Sequence, residues 1–320
     1  MRKWQNEKND IVIRQGLDFP EEYFEDEVRE GFLVECKMKC AWAAQLEVLK
    51  EIDRICTKHG IRYFADSGTL LGAVRHKGYI PWDDDVDIAM LRDDYQRFLA
   101  IAPGELERGE WKILDLEEGF RELFCRVVNS TIYNSGKERL LRFHGCPYVV
   151  GVDIFPLDYV PIDKAEEEVW YLLAKSLHSL LRNVMTLGEE LVIKEMGADL
   201  QKVEEICRIK LREKNLEKQL RILLNEVIQM YAGEKAEELE YIVYDLGNEG
   251  KRCKYQRDWY EGSRRIPFEN IMIPVPNGYD GILRALYGDD YMVPKRELAH
   301  DYPFYKKQDL ELAKMKKCKI

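Results

Sequence analysis

Four aspartates fall within positions 83–87 of the stretch PWDDDVDIAM, and apolar residues alternate with them and follow them. The apolar pattern is typical of a buried strand. Residues two apart in a strand face the same way, so Asp85 and Asp87 should project from one face while Val86 and Ile88 enter the core. Carboxylates held so close repel each other, which raises a pKa unless a cation lies between them. The spacing therefore predicts a divalent-cation site, and hard oxygen ligands suit Mg²⁺ or Mn²⁺.

Two further segments carry groups suited to the same site. Upstream, Ser67 and Gly68 open a predicted helix directly after a strand that ends at Asp66. Backbone N–H groups at such a turn can bind a phosphate, and a glycine permits close approach. Downstream, Asp153 lies in VGVDIF between apolar neighbours, which is a poor place for a carboxylate without a function. We expect Asp153 either to complete a metal triad with the two strand aspartates or to act as a general base.

Other interpretations of the acidic residues were weighed. An EF-hand loop starting at Asp83 would need glycine where Ile88 stands and glutamate where Asp94 stands, so that assignment is disfavoured. A solvated acidic turn before a strand, and the metal-binding DxD of a nucleotide-sugar glycosyltransferase, stay open on the spacing alone. For Asp153, a further alternative is a purely structural role as a buried acid with hydrogen-bond partners.

Several cationic and aromatic side chains near these segments are candidates for substrate contacts. Arg75 follows the first predicted helix, and Arg126 lies between apolar residues in LFCRVV. Both are candidates to pair with phosphate oxygens, Arg126 the better one, and an ordinary surface charge is the equal alternative for Arg75. His76 is interpreted as a cation at a helix C-terminus. Trp82 and Tyr79 adjoin the aspartates, and we expect them to pack the loop, with cation–π binding of a quaternary ammonium as the alternative.

The elements that must position these residues follow from hydrophobic periodicity. The pattern predicts a long helix from about 21 to 59 that ends at Gly60. It further predicts strands at 61–66, 86–90, 111–116, 123–128, 148–160, 241–246 and 269–276, helices after Ser67 and after Leu91, two or three helices between 163 and 232, a helix over 277–288 capped at Asn277, and an irregular tail. The simplest fold is an α+β core with an added helical region.

Composition limits the kind of partner. The 320-residue chain has a net charge of −10, from 49 basic and 59 acidic residues, which disfavours nucleic acid. No secretion signal or membrane-spanning run is apparent, and the eight cysteines show no zinc or disulfide spacing, so we expect a cytoplasmic protein. The end of the chain, residues 306–320, carries six lysines against two acids. It is expected to be a solvated tail, with peripheral contact to an anionic membrane surface as the alternative.

The motifs in their order resemble the LicD family within the nucleotidyltransferase superfamily, to which the fukutins are related. The resemblance rests on SGTLLGAVRHKGYIPWDDDVDIAM (67–90), VDIFPLDYVP (152–161) and VPNGYDGILRALYGDDYM (275–292). It implies a mixed sheet flanked by helices. We accordingly divide the chain into an N-terminal helical segment packing on the core (1–60), a nucleotidyltransferase-like catalytic core (61–162), a helical insertion or subdomain (163–235), and a C-terminal part (236–320) that completes the active-site region and ends in the basic tail.

The resemblance also implies a reaction. LicD-type enzymes transfer a phosphorylated small group, such as phosphocholine or a polyol phosphate, from a CDP-linked donor to a glycan or lipid-linked glycan precursor and release CMP. Carried over, Asp85, Asp87 and Asp153 are the metal-binding and catalytic positions, and Ser67 and Gly68 form the phosphate-binding turn. Two alternatives stay open: a nucleotidyltransferase that moves NMP from an NTP to a small hydroxyl compound, and a non-catalytic nucleotide- or metal-binding protein.

Overall fold

The fold is that of a computed structural model, which describes residues 16–106, 111–234, 236–247, 252–296 and 302–317. Its strands are β1 (Glu27–Arg29), β2 (Phe32–Val34), β3 (Phe64–Ala65), β4 (Asp87–Leu91), β5 (Lys112–Leu114), β6 (Cys125–Val128), β7 (Gly151–Tyr159), β8 (Glu238–Glu240), β9 (Lys254–Gln256), β10 (Ser263–Phe268) and β11 (Ile271–Pro276). Its α-helices are α1 (Cys36–His59), α2 (Ser67–Arg75), α3 (Arg92–Leu106), α4 (Lys137–Arg142), α5 (Lys164–Leu187), α6 (Glu189–Glu195), α7 (Gly197–Cys207), α8 (Leu216–Ile228), α9 (Ile242–Gly247), α10 (Tyr279–Tyr287) and α11 (Lys306–Lys317).

A mixed, seven-stranded sheet forms the centre of the fold, in the order β3-β4-β7-β6-β5 with β8 and β9 joined at the far end of β7. The two central strands, β4 and β7, run parallel, whereas β3 and β6 are antiparallel to them. The long strand β7 pairs with β4 and β6 over its first part and with β8 over its last two residues. The predicted α+β class, a mixed sheet flanked by helices, is confirmed.

The hydrophobic side chains gather in two cores. The first surrounds α1 and the central strands, and its largest fully buried side chain is Trp42. Helix α1 ends where predicted, because Gly60 adopts the left-handed conformation (φ 60°) and its N–H donates to the carbonyl of Cys56. The second core lies among α5 to α8, where α5 packs against α8 and Trp170 Nε1 donates to the carbonyl of Val227 over 2.9 Å. This region contains four helices between residues 163 and 232 rather than the predicted two or three.

A buried ion pair ties the end of β7 to the start of α3. Arg92 Nε and Nη2 donate to the two carboxylate oxygens of Asp158 over 2.6 and 2.8 Å. Both side chains are almost completely buried, with 1% and 2% of their surface exposed. Since α3 follows β4 without a loop, the pair holds the two central strands in a fixed arrangement.

The prediction of a helix beginning near residue 21 was wrong. Residues 21–24 form a short 3₁₀ turn, and β1 and β2 form a hairpin ahead of α1. The hairpin turns at Glu30 and Gly31, both with positive φ. Burial alternates along β2 as expected for a strand, because Phe32 and Val34 are buried while Leu33 between them is 53% exposed. Composition rich in helix formers therefore concealed an alternating pattern.

The C-terminal third also departs from prediction. The strand predicted at 241–246 is instead largely helix α9 (Ile242–Gly247), because Ile242 and Asp245, three apart, both face inward. Strands β8, β9 and β10 were not predicted, and α10 begins after Gly278 rather than at Asn277. The expected irregular tail contains α11, whose Asp309 accepts a hydrogen bond from the hydroxyl of Tyr148 over 2.6 Å. Among the described residues, no helix is both long and apolar enough to cross a membrane.

Candidate active site

Asp87 and Asp153 lie directly opposite each other on the parallel strands β4 and β7. The N–H of Asp153 donates to the carbonyl of Val86 over 3.0 Å, and the N–H of Asp87 donates to Thr69 Oγ1 of α2 over 2.9 Å. Paired residues on neighbouring strands project to the same face of the sheet. Both aspartates are partly exposed while the residues beside them in the chain are buried. The structure thus brings two of the predicted carboxylates to one solvent-accessible point at the start of the strands.

The remaining aspartates form the turn that leads into β4. Carboxylate oxygens of Asp83, Asp84 and Asp85 lie within 4.8 Å of one another. Helix α1 holds this turn through its main chain, since Trp42 Nε1 donates to the Asp83 carbonyl (3.1 Å) and Gln45 Nε2 to the Asp84 carbonyl (2.8 Å). The expectation that Asp85 is part of the strand was wrong, because β4 begins at Asp87. The burial alternation predicted for residues 85–88 nevertheless holds.

The acidic side chains do not all have the same environment. Asp84 is buried, and its carboxylate accepts a hydrogen bond from the N–H of Phe304 over 2.6 Å. Asp83 and Asp85 are partly exposed. Asp84 therefore anchors the segment before α11 to the turn, and Asp83 and Asp85 are the members of this run that can reach a ligand.

The carboxylates place each other under electrostatic strain. Burial, followed by the negative charges of Asp85 and Asp153, holds the pKa of Asp87 well above its usual range. Burial and Asp85 do the same to the pKa of Asp83. Burial also raises the pKa of Asp66, at the N-terminus of α2, to about 6. A divalent cation would remove this repulsion, and an all-carboxylate oxygen set with partial solvent exposure fits Mg²⁺ or Mn²⁺. The residues present therefore fit the metal that the sequence predicts.

Arg126 supplies positive charge at the edge of this cluster. It lies opposite Asp153 in the β6–β7 ladder, and its Nε and Nη2 donate to the two carboxylate oxygens, with 2.6 Å for Nη2 to Oδ2. Burial raises the pKa of Asp153, and the guanidinium offsets part of that rise. The pairing of Arg126 with phosphate stays a prediction. Its side chain is 40% exposed, so it can also meet an incoming anion.

The turn before α2 is shaped by its glycine. Ser67 has a left-handed backbone (φ 46°), and a Cβ added to Gly68 would lie 2.5 Å from Asp83 Oδ2. Glycine is therefore required here so that the Asp83 carboxylate can lie against the start of the helix. The N–H groups of Ser67 and Gly68 are at the helix N-terminus, the position at which an anion is favoured. Their binding of phosphate stays a prediction.

Replacing Gly68 with alanine should displace the Asp83 carboxylate and lower the affinity for Mn²⁺ roughly tenfold, the scale seen when a metal ligand loses its support. Isothermal titration with Mn²⁺ measures this directly. The matched control is Gly104→Ala in α3, where an added Cβ meets no atom within 4 Å. The control should keep its metal affinity. Unchanged affinity in Gly68→Ala would exclude Asp83 from the site.

Other side chains named in the sequence have structural partners. Arg75 Nη1 donates to the carbonyl of Tyr291 over 2.7 Å, so it joins α2 to the segment after α10. The ring of Tyr79 stacks on Trp42 with centroids 4.4 Å apart, and Trp82 contacts Phe32. Both Tyr79 and Trp82 are buried, which agrees with packing of the loop. A phosphate contact for Arg75 stays a prediction.

Two acidic residues near the cluster were not given a role from the sequence. The N–H of Asp66 donates to the carbonyl of Asp87 over 3.1 Å, and the charges of Asp66 and Asp83 both raise the pKa of Asp87. Asp83 belonged to the aspartate run, and Asp66 ended a predicted strand at the turn into α2. The same charges raise the pKa of Tyr287 of α10, for which burial is the largest cause. Only the three-dimensional arrangement brings these segments together.

Comparison with known proteins covers this part of the chain. Residues 60–165 match the family model described as LicD/FKTN/FKRP, nucleotidyltransferase domain. The chain is also 26% identical over 262 residues to the lipopolysaccharide cholinephosphotransferase LicD of Haemophilus influenzae, covering 79% of this chain and 90% of that protein. The chain therefore contains a domain that matches the LicD/FKTN/FKRP model, and it is similar to LicD over most of its length.

Further relatives match shorter segments. An uncharacterized protein of Rickettsia typhi is 37% identical over 95 residues, or 30% of this chain and 26% of that protein. Human ribitol 5-phosphate transferase FKRP is 38% identical over 55 residues, or 17% of this chain and 11% of that protein. The LicD domain at 60–165 contains every site residue predicted from the sequence, including Asp85, Asp87, Arg126 and Asp153. Helices α6 to α8 lie outside it.

Proposed function

We propose that this protein is a LicD-type phosphotransferase that transfers a phosphorylated small group from a CDP-linked donor to a glycan or lipid-linked glycan and releases CMP. The observation that carries the proposal is the pairing of Asp87 with Asp153 across β4 and β7, beside Asp83 and Asp85, within the LicD domain. Relatives named as cholinephosphotransferase and ribitol 5-phosphate transferase support transfer of a phosphorylated group. The nature of that group is left open between phosphocholine and a polyol phosphate.

The carboxylates define what the site can do. Asp85, Asp87 and Asp153, with Asp83 adjacent, would hold Mg²⁺ or Mn²⁺. Such an ion, when bound, supplies charge neutralisation for the donor diphosphate and for the departing CMP. Asp87 is fixed for this task by its main-chain bonds to its neighbours: its N–H donates to Thr69 Oγ1 and its carbonyl accepts from the N–H of Asp66. A fixed carboxylate needs no reorganisation when the donor arrives.

The surrounding residues would bind and orient the phosphates. Arg126 holds the Asp153 carboxylate through two hydrogen bonds and leaves part of its guanidinium exposed to an anion. The N–H groups of Ser67 and Gly68 at the start of α2 would bind a further phosphate oxygen. Asp153 would then serve either as a metal ligand or as the base that takes the proton of the acceptor hydroxyl. Its raised pKa is compatible with the second role.

The place of the reaction is part of the proposal. We propose that the protein is cytoplasmic and acts at the inner membrane surface on lipid-linked precursors. The basic segment 306–320 would provide the peripheral contact, and α11 orders the first part of it. Gln308 of α11 exchanges hydrogen bonds with the main chain of Val149, and the exposed Lys306 and Lys307 would meet an anionic surface.

The leaving group tests the proposed reaction. We expect the purified protein, given CDP-choline, CDP-ribitol or CDP-glycerol with Mg²⁺ and a glycan acceptor, to release CMP from at least one donor, and EDTA to stop the release. Chromatographic analysis of the nucleotides distinguishes this result from its rivals. Release of pyrophosphate from CTP or ATP instead would establish a nucleotidyltransferase. Binding of nucleotide without either product would indicate a non-catalytic protein.

A further inference from the structure

The end of α7 and its connection to α8 form an exposed segment, residues 206–214, which we call the basic loop. Two of its isoleucines face solvent, since Ile206 is 61% exposed and Ile209 is 39% exposed. The charged residues of the loop are four cations and a single acid, all with exposed side chains: Arg208, Lys210, Arg212, Lys214 and Glu213. One exposed isoleucine would need no explanation, but aliphatic side chains interleaved with cations are typical of an interaction surface.

The basic loop is fixed in its conformation by main-chain hydrogen bonds. The carboxylate of Glu204 on α7 accepts from the N–H of Leu211 over 2.8 Å, and Gln219 on α8 accepts from the N–H of Arg212 over 2.9 Å. The side-chain amide of Gln219 also donates to the carbonyls of Arg212 and Lys214 over 2.9 and 3.0 Å. Because the loop is ordered in this way, it would lose little conformational freedom when a partner binds to it.

Most of the cations in the basic loop are available to a partner. Lys210 pairs with Glu204 over 2.6 Å, whereas within the described part of the chain no ion pair involves Arg208, Arg212 or Lys214. The whole chain carries a net charge of −10, so the loop is a local positive region on a molecule that anionic surfaces otherwise repel. Cations beside exposed isoleucines are complementary to a surface that is anionic outside and apolar underneath.

The composition of the basic loop favours a lipid bilayer over a protein as this partner. The phosphates of an anionic leaflet would meet the guanidinium and ammonium groups, while the isoleucines would enter the boundary between head groups and acyl chains. Arginine and lysine suit this position because their aliphatic stems lie along apolar surface while their charged ends stay in water. Protein interfaces instead bury about 800 Å² per partner and are enriched in aromatic side chains, of which the loop has none.

The end of α8 that follows the basic loop is connected to the candidate active site. Glu217, in the first turn of α8, pairs with Arg121 over 3.4 Å. Arg121 is the sequence neighbour of Phe120, and the guanidinium of Arg126 lies 5.7 Å from the centroid of the Phe120 ring. Arg126 in turn holds the carboxylate of Asp153. A membrane bound at the loop would therefore meet the part of the helical region that contacts the site.

From these observations we infer that the basic loop is a membrane-docking surface and that its partner is an anionic phospholipid bilayer. Ile206 and Ile209 enter the interface, and the lipid phosphates are bound by Arg208, Arg212 and Lys214. The inference rests on the proposed function for its purpose, because docking brings the site to lipid-linked acceptors. It gives a role to the helical region outside the matched domain, and it makes the basic loop the principal lipid contact and segment 306–320 an accessory one.

Co-sedimentation of the purified full chain with phospholipid vesicles tests the inference without a donor or an acceptor. Wild-type protein should bind vesicles of equal parts phosphatidylcholine and phosphatidylglycerol, and added salt should weaken the binding. Replacing Arg208, Arg212 and Lys214 together with glutamine should lower the affinity roughly a hundredfold, the scale of three cations at an anionic lipid surface. Ile206→Ser with Ile209→Ser should lower it roughly tenfold, because less apolar surface is then buried in the interface.

Matched controls change the same properties elsewhere on the surface. Replacing Arg54, Lys58 and Arg62 with glutamine alters the net charge equally, but each of these cations already pairs with an acid. Val169→Ser with Leu172→Ser removes two aliphatic side chains of α5 that are 63% and 53% exposed. Both controls should bind anionic vesicles as wild type does.

The outcomes distinguish this inference from the function on which it rests. Failure of wild-type protein to bind anionic vesicles would overturn the inference and favour an acidic protein as the partner. Equal binding to vesicles of phosphatidylcholine alone, or loop variants that bind as well as the controls, would overturn it too. Binding that is lost instead in Lys306→Gln with Lys307→Gln would assign the contact to α11. Loss confined to the loop variants would support the docking surface, and it would do so even if no CDP-linked donor yields CMP.

Discussion

Replacing Asp87 with asparagine should reduce the Mg²⁺-dependent release of CMP roughly a thousandfold, on the scale of losing one fixed group that stabilises developing charge. The substitution keeps size and shape, and the N–H of Asp87 that donates to Thr69 Oγ1 is untouched. The loss should therefore come from the missing negative charge rather than from unfolding. Steady-state kinetics with wild type and variant, each over a range of Mg²⁺ concentrations, measure it.

The same substitution should raise the melting temperature of the metal-free protein. The pKa of Asp87 is raised in the folded state, so its ionised form is disfavoured there and opposes folding at any pH above the pKa of the unfolded chain. Because asparagine carries no charge, the variant is free of this destabilisation at neutral pH. The increase in melting temperature should become smaller as the pH falls, because Asp87 of wild type is then protonated. EDTA should lower the melting temperature of wild type and leave the variant unchanged.

The control for this pair of effects is Asp199→Asn in the helical region, where the aspartate side chain is 55% exposed. It should change neither activity nor the response to EDTA. Full activity and undiminished metal affinity in Asp87→Asn would show that the metal is held elsewhere. A fall in the melting temperature of the metal-free variant would show instead that Asp87 has a structural role.

Removing the guanidinium of the buried ion pair should produce the largest loss of stability. Arg92→Leu leaves the carboxylate of Asp158 unpaired with 2% of its side chain exposed, and breaking a buried pair in this way costs about 3–5 kcal/mol. Chemical denaturation followed by circular dichroism measures the free energy of unfolding. The double variant Arg92→Leu with Asp158→Leu should regain most of the lost free energy of unfolding, because no unpaired charge is then buried.

The matched control is Arg54→Leu on α1. Arg54 pairs with Glu51 over 2.8 Å, but its side chain is 44% exposed. Exposed pairs contribute about 0–1 kcal/mol, so this variant should unfold at nearly the wild-type denaturant concentration. Similar losses for Arg92→Leu and Arg54→Leu would mean that the Arg92–Asp158 pair does not hold β7 to α3 as described.

The sequence was sufficient for the parts of the fold where local pattern and tertiary packing agree. The end of α1 at Gly60, the start of α2 at Ser67 and the positions of β4 and β7 followed from periodicity and turn residues. The secondary-structure predictions were wrong for segments whose composition favours one type of element while their packing in the fold requires another. Residues 27–34 are rich in charged residues yet form a hairpin, and residues 242–247 are apolar and β-branched yet pack as a helix.

The candidate site likewise has residues that the sequence predicts and an arrangement that only the fold determines. The aspartates at 85, 87 and 153 stood out because each is a charge among buried neighbours. Sequence could not show that Asp87 and Asp153 occupy paired positions, because strand order depends on contacts between residues far apart in the chain. Arg126 was predicted to be a site residue because its neighbours in the sequence are apolar. That it pairs with Asp153 follows only from the β6–β7 register.

Thermal unfolding of the full chain with and without ligands tests the central claim most directly, because a ligand that binds the native state must raise its melting temperature. We would use CMP, CDP-choline, CDP-ribitol, CDP-glycerol, CTP and ATP, each with Mg²⁺ and with EDTA. The account predicts Mg²⁺-dependent stabilisation by CMP and by at least one of the CDP-linked compounds, and none of it in Asp87→Asn. Stabilisation that persists in EDTA, or that is unchanged in Asp87→Asn, would contradict a metal-dependent donor site at the paired aspartates.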